Sequence, residues 1–249
     1  MPQFGKGPGV VHGTASSAHN HMQLAEALAD AFTVYAPDRR GRGLSGPSPK
    51  DFSIQTEVDD LAAVLVETAT HTVFGVSSGG IISLQAALTL TSIHKAAIYE
   101  PPLIVNGSVP TDILTRFDKE MAQGKVAAAL ITAMKGAQMG PPIFNAMPCW
   151  LTERLTTLMM KQEDMKGTGD YVPMRSLAPT MHYDFQLVVE MVGRLESFRA
   201  IQADVLSNRS GRAGMCSGTI GSHDRPRSTR PGILGPFVVS QSHQRHAAW

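Results

Sequence analysis

Gly75-Val76-Ser77-Ser78-Gly79 is the stretch on which the reading of this chain turns. The run His71-Thr72-Val73-Phe74 enters it with strand-forming residues, and Gly80-Ile81-Ile82-Ser83-Leu84-Gln85-Ala86-Ala87-Leu88 leaves it with apolar positions three and four apart. A strand that passes through G-x-S-x-G into a helix is the context of a nucleophile elbow. The glycines have a steric reason: a serine on so sharp a turn leaves no room for Cβ atoms beside it. Ser77 is thereby the candidate covalent nucleophile. The turn also sets it at a helix N-terminus, where the Ser78 N–H and the helix dipole can stabilise negative charge on a substrate oxygen.

Upstream, Gly9-Val10-Val11-His12-Gly13-Thr14 reads as a short buried strand ending in His-Gly, followed by a helix-like Met22 to Asp30. A second strand, Phe32 to Asp38, runs into Arg39-Arg40-Gly41-Arg42-Gly43-Leu44-Ser45-Gly46-Pro47. A helical stretch from Thr56 to Glu67 precedes the Ser77 strand and helix, and Lys95 to Glu100 forms the next strand. Strands alternating with helices at this rhythm predict an α/β fold, a mostly parallel sheet with helices on both faces.

The order of His-Gly, Asp-Arg-Arg-Gly-Arg-Gly-Leu-Ser-Gly and G-x-S-x-G resembles the α/β-hydrolase superfamily, strongly from Gly9 to about Pro102. The resemblance implies Ser77 as nucleophile and an oxyanion hole made by the backbone N–H groups of Thr14 and Ser78. It makes His12 a residue that orients the oxyanion loop, because the triad on this fold runs in the order serine, acid, histidine. The two edge strands that usually precede the first strand of such proteins are expected to be missing, as is the final helix.

Composition agrees with an enzyme of this kind. The 249 residues are 43% hydrophobic and 17% charged, enough for one core with an inserted subdomain. A net charge of +1 gives no electrostatic case for nucleic acid or an anionic membrane, and Arg39-Arg40-Gly41-Arg42 reads as a solvated loop. Cys149 and Cys216 form neither a disulfide framework nor a metal cluster. No apolar run has the length of a membrane span, and the first residues lack the pattern of a signal peptide, so the expected compartment is the cytoplasm. No cofactor or metal is implied, and the oligomeric state is open.

From residue 101 to 198 the pattern changes to helices: Asp112 to Gln123, Lys125 to Met134, Leu151 to Met160 and Phe185 to Leu195. The resemblance implies a helical cap over the active site here, with 1–100 and 199–249 forming the core. Methionines crowd the segment, among them Met134, Met159, Met160, Met165, Met181 and Met191. Such flexible side chains either fill the space between helices or roof an adaptable apolar pocket. A small hydrophobic substrate is favoured over a sugar or a phosphorylated compound.

Two places offer the acid. Glu100 ends the strand after the nucleophile strand, where Pro101-Pro102 stops the ladder; Gly221-Ser222-His223-Asp224-Arg225-Pro226 resembles the turn that carries the acid in many relatives, which makes Asp224 the alternative. Phe198 to Leu206 is the next expected strand. Beyond it, residues 207–249 contain no lysine or glutamate and a single aspartate among serines, glycines and arginines. Such a change of composition fits a divergent end, a disordered extension, or a shifted reading frame that replaced the ancestral terminus. Within it Gly235 to Ser240 reads as a last strand, and the stretch that follows resembles the family's histidine segment, with His246 as base and His243 second. The implied activity is hydrolysis of an ester, lactone or thioester, or of a carbon–carbon bond beside a carbonyl. The alternative is an inactive member that binds a small molecule or partner.

Overall fold

A computed structural model describes residues 3–5, 9–11, 16–104, 112–137, 147–166 and 171–208. Among the described residues six strands form one sheet: β1 (Gln3–Gly5), β2 (Gly9–Val11), β3 (Thr33–Tyr35), β4 (Thr72–Val76), β5 (Lys95–Tyr99) and β6 (Asp204–Asn208). Their order is β1-β3-β2-β4-β5-β6, parallel throughout except for β1, which pairs antiparallel with β3. Helical crossovers link successive parallel strands: α1 (Met22–Leu28) runs from β2 to β3, α2 (Ile54–Thr68) from β3 to β4 and α3 (Ser78–Thr89) from β4 to β5.

α2 forms because Ile54, Val58, Leu61 and Leu65 recur at helical spacing and bury one stripe. It ends at Ala69, which takes the left-handed conformation at φ 50° and returns its N–H to the last turn. α3 has no polar face: every residue from Ser78 to Ala87 is buried, because the helix runs through the middle of the molecule. Val58, Leu61 and Leu65 meet Ile81, Ile82 and Leu84 of α3 and Val73 and Ile98 of the sheet in one core. Each such side chain, fully buried, stabilises the fold by about 1.5–3 kcal/mol.

The α-helices after β5 among the described residues are α4 (Ile113–Ala122), α5 (Val126–Gly136), α6 (Cys149–Lys166), the single-turn α7 (Met174–Leu177) and α8 (Met181–Glu190). They carry a second core of Phe117, Ala129, Leu130, Ala133, Met160, Ala178 and Met181. Met160, Met181 and Met191 are buried filler, while Met159 and Met165 of α6 are 67% and 80% exposed. Among the described residues no helix is long and apolar enough to cross a membrane.

Four expectations from sequence need correction. The N-terminal edge is not bare, since β1 supplies one antiparallel edge strand. The strand expected from Phe198 begins at Asp204; residues 195–200 form a 3-10 helix that drives Phe198 fully into the core, and pairing starts only where Lys95 provides a partner for Asp204. Ser207 and Asn208, assigned to the atypical tail, still pair with Ile98 and Tyr99. The helix expected at Phe185 to Leu195 starts at Met181, after a 3-10 turn around Pro179, and stops before Gly193 at φ +78°. The rest of the tail lies outside the described residues.

Candidate active site

β4 is a central strand, paired with β2 on one side and β5 on the other, and it delivers Ser77 at its C-terminal end. Ser77 has φ 53° and ψ −124° and precedes the first residue of α3. This conformation is rarely adopted by a residue with a side chain and is held by the surrounding structure. Three backbone hydrogen bonds hold it: Ser77 N–H donates to Tyr99 O at 2.9 Å, and Ser77 O accepts from Gly80 N at 2.8 Å and Ile81 N at 3.4 Å. Gly75 is required because a Cβ there would strike the Gly79 carbonyl and, at 2.5 Å, Ser83 Oγ.

Register brings Glu100 alongside. Val76 pairs with Tyr99, so Ser77 and Glu100 are the next residues on two adjacent strands, where both chains leave the sheet. Glu100 also has a positive φ, 49°, and is exposed, whereas Ser77 is half-buried. Ligand sites of open α/β sheets lie at this carboxyl end of the strands.

The Asp38 to Pro47 loop, after β3, is built on the same side. The Asp38 carboxylate accepts from the N–H of Ala18 at 2.8 Å and of Leu44 at 3.1 Å, and Ser45 Oγ donates to Asp38 O at 2.6 Å. Gly43, at φ +50°, has to lack a side chain, since a Cβ would run into the Asp38 carboxylate. The expectation of a solvated basic loop fails for two of its three arginines. Arg40 faces outward and pairs with Asp60, but Arg39 and Arg42 are 6% and 2% exposed.

Both inward arginines enter a buried cluster. Arg39 grips Glu57 of α2 through Nε at 3.0 Å and Nη2 at 2.7 Å, and its Nη1 reaches Asp184 Oδ1 of α8 at 2.8 Å. Arg42 Nη2 donates to Asp184 Oδ2 at 2.6 Å, and Ser78 Oγ donates to Asp184 Oδ1 at 2.8 Å. Burial raises the pKa of Asp184, but the charges of Arg42 and Arg39, helped by the hydrogen bonds of Ser78 and Arg39, outweigh it and hold the carboxyl below its ordinary value. Burial likewise opposes the charge on Arg39, which Glu57 and then Asp184 more than restore. Sequence reasoning missed this cluster, although a signal exists. Glu57 sits between Ile54 and Leu61 in the apolar stripe of α2, and Asp184 between Met181 and Leu187 in that of α8. An acid on an apolar face needs a buried cation.

The elbow on a central parallel strand, with helices crossing over between successive parallel strands, agrees with what the alpha/beta hydrolase family model matches over residues 10–247. The chain belongs to the alpha/beta hydrolase family. An alpha/beta hydrolase from Sphaerobacter thermophilus is 32% identical over 85% of this chain and 77% of its own, with a TM-score of 0.67. An alpha/beta hydrolase enzyme from a Medee basin deep-sea metagenome shares the fold at 14% identity and a TM-score of 0.60, over 82% of this chain and 70% of that one. So does a hydrolase from Pseudomonas aeruginosa, at 16% identity and 0.53, over 82% and 71%. Hydrolysis is the chemistry this membership carries.

In this alpha/beta hydrolase the structure brings Ser77, Ser78 and Glu100 to one end of the sheet. Thr14, Asp224, His243 and His246 lie outside the described residues. A cavity of about 210 Å³ opens at the start of α5 and another of about 240 Å³ between the end of α3 and the start of β6; Ser77 lines neither.

Proposed function

We propose that this hydrolase cleaves small hydrophobic esters, lactones or thioesters, or a carbon–carbon bond beside a carbonyl, through an acyl-enzyme on Ser77. The observation that supports the reading is the backbone of Ser77, φ 53° and ψ −124°, at the end of the central strand β4 and the head of α3. A fold keeps such strain in a residue with a side chain where the position of that side chain matters. In this reading His246 takes the Ser77 proton, with His243 as the alternative, and Glu100 orients the imidazole, with Asp224 as the alternative. The serine oxygen attacks the carbonyl, and the N–H groups of Ser78 and Thr14 hold the oxyanion. The histidine then protonates the leaving group, and water deprotonated by the same base releases the acid and restores Ser77. Residues 101–198 act as a cap whose apolar side chains select the acyl group.

Hydrolysis of p-nitrophenyl butyrate and labelling by a fluorophosphonate test the proposal, each beside Ser77→Ala. The expected result is labelling of the wild type only, and a variant rate at background. Equal rates for the two proteins would sink the nucleophile. A folded wild type that neither turns over nor labels would instead be a binding member with an inactive site.

A further inference from the structure

Four buried charges behind the elbow are more than folding asks for. Two arginines and two acids, each with a side chain 5% exposed or less, are costly to desolvate, and apolar residues of similar volume commonly replace such groups without loss of stability. What the cluster provides is a single geometry for the residue at its centre. Ser78 is completely buried; its hydroxyl donates to Asp184 Oδ1 and accepts from Arg39 Nη1 at 3.3 Å. Arg39 is held in turn by Glu57, and the second oxygen of Asp184 by Arg42. Ser78 is also the first residue of α3, so its N–H and the Ser77 backbone share one peptide unit.

We infer that Asp184 is a positioning residue: from α8, 106 residues along the chain, it fixes the Ser78 side chain and through it the peptide that carries the oxyanion donor. The inference rests on the serine-hydrolase reading, because it assigns the peptide a task in the reaction. An oxyanion donor acts only within a narrow range of distance, and a displacement of about 1 Å costs on the order of 100-fold in rate. A side-chain tie at the first helical residue restrains that displacement directly. Helix α8 carries Met181 in the core of the helical layer and Leu187 in the core of the sheet, so the tie is anchored on both sides.

The test uses the full chain, p-nitrophenyl butyrate as substrate and the fluorophosphonate labelling rate as second readout. Ser78→Ala keeps all the ion pairs and removes only the hydroxyl. It is expected to lower kcat and the labelling rate about 10-fold, with KM within about twofold of wild type. Asp184→Asn is expected to lower kcat at least as far, and the double variant no further than Asp184→Asn alone, because the two act along one path. If Asp184→Asn does not fold, Ser78→Ala decides alone. A folded Ser78→Ala with wild-type kcat and labelling, beside an inactive Ser77→Ala, overturns the positioning role and leaves the serine reading standing. A Ser77→Ala protein with wild-type turnover removes the serine reading, and the positioning role with it.

Discussion

Neighbouring arginines of one loop differ in what they are worth. Arg39 and Arg40 are adjacent, both pair with carboxylates at hydrogen-bond distance, and only one of them is out of water. Arg40 and Asp60 have side chains 42% and 36% exposed, so solvent screens the pair. Arg40→Ala is expected to cost well under about 1 kcal/mol in urea unfolding. Arg39→Ala leaves Glu57 and Asp184 with buried negative charge, and a loss of about 3–5 kcal/mol is expected. Similar losses from the two variants would show that the buried cluster is better hydrated than its geometry indicates. The sequence could not separate these residues, because a run of arginines in a glycine-rich loop looks solvated until acids from α2 and α8 are brought to it. Their partners lie 18 and 145 residues away from Arg39.

At the scale of elements, periodicity carried most of the fold. α2, α3, α4 and α5 were legible within a few residues because each has apolar positions at helical spacing, and β4 and β5 because each is short, apolar and bounded by turn residues. Two strands were not legible, one because local pattern and tertiary demand conflict and one because it has no pattern to read. Phe198-Arg199-Ala200-Ile201 alternates like a strand, yet burying Phe198 under α3 requires a 3-10 turn there. β1 is too short to show a pattern at all and exists through its pairing with β3. The end of α2 is held by one backbone conformation. Ala69 occupies a left-handed position that favours glycine, so Ala69→Gly is expected to raise stability by about 0.5–1 kcal/mol. A lower thermal midpoint for the variant would show that the Ala69 conformation is not what limits the helix end.

Across the whole molecule, the cluster joins α2, the loop after β3, the head of α3 and α8, and so links the sheet to the helical layer by charge as well as by packing. That link is sensitive to acid. Asp184 has a folded pKa below its ordinary value of 3.8, so its contribution is present in full above that value and is lost as pH falls through the folded pKa. Urea midpoints measured from pH 6 down to pH 2 are expected to fall more gently in Asp184→Asn, which is less stable than wild type at pH 6 but has no carboxylate to protonate at that site. Parallel acid limbs in the two proteins would place the acid sensitivity elsewhere. The strain of the sheet has a consequence for how such a chain can change over generations. Ser77 and Glu100 both bend out of their strands with positive φ, and glycine alone relaxes that backbone without penalty. Ser77→Gly should therefore melt above Ser77→Ala, although both lack the hydroxyl. Selection for stability alone would erode this end of the sheet first, and a lineage that keeps a serine there keeps it against that drift.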